Sequence, residues 1–349
     1  MNFLKRFIVL LFFVVIAAFS GCSKQDDAKP LPDVKGRKVW IINEGNFQFG
    51  NASIDVYFPD SQKIYKNVFK HVNNSSLGDV AQSAVLTDET LFVVVNNSEK
   101  IVAIDRKTYK EKYSIKLPGS SPRYMCLVSS TKAFVSELYA KKIWIINPET
   151  GELTGSINTE GWTEQMALFD KELFVAQRSR PNDIYVANVL VINTQTNQII
   201  QRISLPEEPV SLAATSGKVW VLCKNFQSSV KPTLICINAS MKTIERQYDF
   251  LPDDSPSLLR SIVPSNKLFW INNGVYSMQT NQDSLPLQPL IPGNNRNIYA
   301  MDINPENEEI YVADAHDYVQ SSTVYRYNKS GILMHSFKAG IITNSFVFE

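Results

Sequence analysis

Val39-Trp-Ile-Ile-Asn-Glu-Gly-Asn-Phe-Gln-Phe-Gly-Asn-Ala-Ser53 is a short apolar strand that runs into a polar loop carrying two phenylalanines. Its opening phrase, usually a charged residue followed by apolar and aromatic ones, recurs in strands starting at Val39, Leu91, Ala133, Leu173, Val219, Leu268 and Ile310. The starts lie 52, 42, 40, 46, 49 and 42 residues apart. A radial repeat of four short strands takes roughly 40–45 residues, so this spacing predicts propeller blades. In such a ring the sheets are scaffold and the loops between repeats carry function.

The remaining strands fall into place around this one. A first strand precedes it in Asp79 to Leu86, Ser121 to Val128, Thr163 to Phe169, Glu208 to Thr215, Leu258 to Ser265 and Asn297 to Asn304. A third follows it, as in Ile101-Val-Ala-Ile-Asp, Ile143-Trp-Ile-Ile-Asn and Val189-Leu-Val-Ile-Asn. The third strand mostly ends on Asp or Asn, whose short side chains favour the turn into a fourth. The first repeat begins directly at its second strand, Lys38 to Asn43, and the chain finishes on Asn344-Ser-Phe-Val-Phe-Glu349, a first strand with nothing after it. Pairing these leftovers closes the ring and removes exposed sheet edges. The expected fold is all-β: a seven-bladed β-propeller of four-stranded blades over residues 37–349, closed by the C-terminal strand completing the N-terminal blade. An open β-solenoid would need shorter repeats and terminal caps, which the sequence does not show.

Ahead of the repeats, residues 1–21 hold Lys5 and Arg6, an apolar run from Phe7 to Phe19, and Ser20-Gly21. The run is too short and too early for a stable transmembrane span and is expected to be a secretory signal peptide. Phe19-Ser-Gly-Cys22 resembles a bacterial lipobox, which implies a lipidated Cys22 and a flexible polar tether over residues 22–36 that holds the domain at a membrane. The acidic pair Asp26-Asp27 looks like a signal for the outer face of the outer membrane. Thirty-five Lys and Arg against 34 Asp and Glu leave a formal charge of +1 with no basic stripe, so nucleic acid is not an expected partner. Cys126 stands alone in a strand, whereas Cys223 and Cys236 lie in neighbouring strands of one hairpin, either bridged or as buried free thiols.

Loops after second strands and joints between consecutive blades emerge on one face of a propeller, and here they are the long, varied ones. They supply the candidate ligand contacts. The first loop offers Glu44, Asn46, Phe47 and Phe49, the second Asn97 and the third Tyr139. The fourth offers Arg178 and Tyr185, the fifth Phe226, the sixth Asn273, and the seventh Asp314, His316 and Tyr318. Blade joints add Arg123, Trp162 and Arg296. Aromatic walls ringed by neutral hydrogen-bonding groups fit a large, roughly uncharged ligand. Each type also has a plainer use: aromatics pack loops, Asn residues form turns, and Arg123, Arg260 and Arg296 tie blades together.

Catalytic signatures are thin. The histidines are His71, His316 and His335, and no His-x-x-x-His, paired-Cys or Asp-rich calcium loop accompanies them, so neither a metal nor a cofactor is expected. His316 has no Gly-x-Ser-x-Gly nucleophile to serve, and glycine-rich phosphate loops are missing.

Val39-Trp-Ile-Ile-Asn-Glu-Gly with Asn51-Ala-Ser, Leu77-Gly-Asp-Val-Ala-Gln, Leu91 to Asp105 and Ile298 to Tyr318 resemble the YncE-like seven-bladed propeller lipoproteins of the Bacteroidetes. The resemblance covers nearly the whole mature chain. Within that group the sequence is similar to the surface-exposed vitamin B12-capturing lipoproteins. What this implies is a non-enzymatic protein that captures cobalamin or a related corrinoid and delivers it to a TonB-dependent outer-membrane transporter. Cobalamin is then cargo, not cofactor. Two other functions stay open: a protein-interaction propeller without small ligand, and a propeller enzyme of lactonase or quinoprotein-like type.

Overall fold

The computed structural model describes residues 36–179, 185–224 and 230–349. The signal segment, Cys22, the Asp26-Asp27 pair and Phe226 lie outside the described residues. Within them the chain forms seven antiparallel sheets of four strands each, arranged as consecutive blades of a β-propeller.

Second strands explain the recurring phrase. In blade 5 the second strand, Lys218–Cys223, sends Val219, Val221 and Cys223 into the layer shared with blade 4, and Trp220 and Leu222 into the layer shared with blade 6. A strand covered on both faces needs an unbroken apolar run. Fourth strands form the rim and are largely exposed and polar, as in Gln198–Ser204, where only Ile203 is buried. Two of them are stunted. Blade 1 keeps only Lys63–Tyr65 before a short helix, Val68–Asn73, buries Val68 and Phe69 against the layer between blades 1 and 2. Blade 6 keeps only Ile291–Pro292, because Pro286, Pro289 and Pro292 remove ladder donors along that stretch.

The ring closes as the two leftover strands require. Thr343–Phe348 pairs antiparallel with Val39–Asn43 and forms the innermost strand of blade 1. Glu349 fastens the joint: its backbone exchanges two hydrogen bonds of 2.9 Å with Lys38. Its carboxylate takes Trp40 Nε1 at 3.0 Å and pairs with Lys38 at 3.0 Å and Arg106 at 3.2 Å.

Register decides the cysteine question. Cys223 sits opposite Thr233 and Cys236 opposite Trp220, three places along the hairpin. An odd offset puts the two thiols on opposite faces of the sheet, and both are free. Cys126 is also free.

No helix among the described residues is long and apolar enough to cross a membrane. The chain enters the propeller at the end opposite the loops that follow the second strands. There Arg37 pairs with Asp60, in the turn between the third and fourth strands of blade 1, at 2.7 Å.

Candidate functional site

Every innermost strand carries a register shift against its neighbour. The extra residues are Gln82, Arg123 with Tyr124, Glu164 with Gln165, Val210, Leu258 with Leu259, Tyr299 and Asn344, one place in each of the seven blades. A bulged residue leaves the ladder and has its side chain re-aimed. Here all but Leu259 line a cavity of about 590 Å³ at the mouth of the propeller axis. Loop residues Glu44, Phe47, Asn297 and Tyr318, with Arg178 at the end of a second strand, complete its upper wall. A second chamber of about 250 Å³ shares Gln82, Tyr124, Gln165, Leu258 and Asn344 with it, so the two form one shaft.

Charge inside the mouth is paired off in part. Glu164 accepts Arg123 Nε at 2.9 Å on one oxygen and Arg178 Nη2 at 3.2 Å on the other. Arg123 also donates to Gln82 Oε1. Burial opposes the Arg123 charge, but Glu164, Tyr124 and Glu44 outweigh it and hold the guanidinium above its ordinary range. Lower in the shaft Arg260 pairs with Asp302, whose other oxygen accepts the Phe346 amide at 2.8 Å. Glu44 has no such cation. Its Oε2 accepts the Tyr299 hydroxyl at 3.0 Å, and burial pushes its carboxyl up to about 7 against that hydrogen bond and the field of Arg123. Burial and Glu44 together push the Tyr299 phenol up. Tyr299 meets Tyr318 edge-on at 5.7 Å, and Phe47 beside them is 62 % exposed, so one side of the mouth is an aromatic lip.

Of the residues expected from the loops, Glu44, Phe47, Arg123, Arg178 and Tyr318 are brought together in this cavity. The others among the described residues lie outside its lining, most of them engaged elsewhere. Asn46 ties its loop to the seventh through the Tyr318 carbonyl at 2.7 Å, and Phe49 is exposed on the outer slope. Asn97 holds Asp79 at 2.5 Å and braces the entry to blade 2. Trp162 packs under Arg178, 5.1 Å from the ring centroid, and against Tyr139 at 6.3 Å. Tyr185 donates to Glu207 at 3.3 Å. Asn273, with φ 49°, makes the tight turn of blade 6, and Arg296 stacks on Tyr325 at 4.1 Å while donating to Tyr327. Asp314 is spent on the Asn297 and His316 amides at 3.1 and 2.9 Å. His316 is fixed by Thr323 at 2.8 Å and lies 3.3 Å from Asp314, away from the axis. Among the described residues no group of three or more His, Cys, Asp or Glu is placed to hold a metal ion.

Residues 37–342 match the sequence profile of a family described as a domain of unknown function, DUF5074. The chain belongs to that family. No curated protein matches it in sequence. Among solved structures it is similar to a quinoprotein alcohol dehydrogenase-like protein of Bacteroides thetaiotaomicron, 14% identical over 88% of this chain and 77% of that one, with a TM-score of 0.67. A Bacteroides fragilis protein proposed to be a 6-phosphogluconolactonase is 11% identical over 91% and 99%, with a TM-score of 0.66. Hydrazine synthase of Kuenenia stuttgartiensis is 13% identical over 76% and 91%, at 0.61. At such identities the likeness is one of fold.

In this DUF5074 domain the loop reading missed the deep wall: Gln82, Glu164, Gln165, Tyr299 and Asn344. A signal for them exists in the sequence. One place near the start of each first strand is polar in five of seven blades, as Gln82, Tyr124, Gln165, Tyr299 and Asn344.

Proposed function

We propose that the chain is a lipid-anchored surface protein, not an enzyme, that captures a corrinoid at the axial mouth and passes it to a TonB-dependent outer-membrane transporter. One observation carries this reading: a cavity built from all seven blades whose two arginines are both held on Glu164, leaving amide, phenol and aromatic groups to meet the ligand. Cobalamin is a large disc fringed with neutral amides. Gln82, Gln165, Asn297 and Asn344 can pair such amides, while Phe47 and Tyr318 offer stacking area above them. Only part of so large a molecule enters about 590 Å³, so the rest would lie over the aromatic lip. Arg37, at the start of the propeller, lies on the face opposite the mouth. Calorimetric titration of the purified protein with cyanocobalamin and with cobinamide tests the reading. Saturable one-to-one heat at micromolar concentration supports it, and no heat with either ends it.

A propeller enzyme is the second reading, favoured by Glu44, a carboxyl held near neutrality inside a cavity, as a general base would be. Turnover of a lactone by the wild type, lost in Glu44→Gln, would establish it.

A further inference from the structure

Among the described residues Glu44 is the one mouth carboxylate without an arginine partner, and its position is fixed rather than adaptable. Its own amide donates to the Ile342 carbonyl at 2.8 Å and the next amide, Gly45, to Ile341 at 3.1 Å, so the backbone is pinned to the last turn before the closing strand. Gly45 must be glycine: φ is +73°, and a Cβ there would lie 2.3 Å from Asn51 Oδ1. The side chain therefore enters the cavity from a rigid base. Oε2 accepts the Tyr299 hydroxyl, and no described residue donates to Oε1, which is left for whatever fills the mouth.

The groups facing Glu44 are few. From blade 7 come Tyr299 and, behind it, Tyr318; from blade 3 comes Arg123, which is already committed to Glu164 and Gln82. Arg178 shares Glu164 from the blade 4 side. Among the described residues no Lys, Arg or His lies within ion-pairing distance of Glu44. A ligand covering the mouth strips the remaining water from this carboxyl and adds no cation unless it brings one.

We infer that Glu44 enters the complex as a neutral acid whose O–H donates to a carbonyl oxygen on the ligand, so that capture takes up one proton from solvent and selects ligands presenting such an acceptor. This rests on the mouth being the binding site, and it deepens the corrinoid reading by assigning one amide carbonyl of the ligand to Glu44. The carboxyl already sits near its half-protonated point in the free protein, and further desolvation moves it in the same direction. The sign follows. Below about pH 7 the acid is already protonated and affinity is flat; above it each binding event must protonate Glu44, and affinity falls by up to about tenfold per pH unit.

Titration of the wild type with cyanocobalamin at pH 7 and 8, each in two buffers of different ionisation enthalpy, reads the proton directly. Uptake of about half a proton at pH 7 and most of one at pH 8 supports the inference. Glu44→Gln should abolish the uptake and flatten the pH profile of the dissociation constant. Binding with no proton exchange in the wild type, or uptake that persists in Glu44→Gln, overturns it while leaving corrinoid capture intact. Absence of heat at every pH overturns corrinoid capture instead. In that case difference infrared titration of the free protein against Glu44→Gln still decides the carboxyl, and a midpoint below about pH 5, in the ordinary carboxylate range, overturns the inference independently of any ligand.

Discussion

Replacing Phe346 by Ala tests whether the C-terminal strand holds the ring shut. Phe346 lies in the closing strand, is 4 % exposed, and packs in one cluster with Ile41, Tyr57 and Tyr311, with its ring 5.7 Å from that of Tyr311. Its truncation removes a buried aromatic from the seam between blades 7 and 1, where both neighbours are rigid sheets and collapse is limited. Such a change costs about 3–5 kcal/mol. For a domain of this size that corresponds to a fall in Tm of about 5–8 °C. Thermal unfolding followed by circular dichroism measures it, with Phe49→Ala as control, because Phe49 is 76 % exposed and its loss should fall within about 0.5 kcal/mol of neutral. Deleting residues 343–349 should go further, since it also strips the Glu349 contacts to Trp40, Lys38 and Arg106 and bares the edge of Val39–Asn43. A Phe346→Ala protein that melts with the wild type would refute the closure as a source of stability.

Trp220→Ala, at a fully buried position, should destabilise by about 3–5 kcal/mol in urea unfolding. Tyr318→Ala should weaken corrinoid binding in calorimetry with little change in Tm, whereas Trp162→Ala, outside the cavity lining, should affect affinity less than Tyr318→Ala does. Stability should also report Glu44: with its carboxyl raised from 4.5 to about 7 by burial, the folded form binds the proton more tightly than the unfolded one. Stability from this group is therefore fully present below about pH 4.5 and falls by about 3 kcal/mol as pH rises to 7, a slope that Glu44→Gln should remove from the pH profile of unfolding.

Blade number and ring closure were legible because both rest on burial. A second strand such as Val219–Cys223 is covered on both faces, so its unbroken apolar run cannot be hidden by a loop of any composition. Asn344 to Glu349 was recognisable as an unpaired first strand for the same reason. The stunted rim strands were not, since a rim strand buries little and only the prolines at 286, 289 and 292 betray the short one in blade 6. The site was legible in part. Glu44, Phe47 and Tyr318 stand on loops whose lengths announce them, but Tyr299, Gln165 and Glu164 sit inside strands and reach the axis only because a bulge turns them there. One inserted residue gives no signal in a single blade, and the polar place shows only when the first strands of all seven blades are aligned. Trp162 shows the converse: it lies on the right face of the ring, yet it packs under Arg178 and against Tyr139 and does not line the cavity.

The most direct test of the account is the structure of the protein crystallised with cyanocobalamin. The account predicts the corrin ring over the axial mouth, stacked on Phe47 and Tyr318, with a ligand amide carbonyl within hydrogen-bond distance of Glu44 Oε1 and further amides on Gln82, Gln165 or Asn344. Cobalamin bound on another face of the propeller, with the mouth filled only by water, would contradict it.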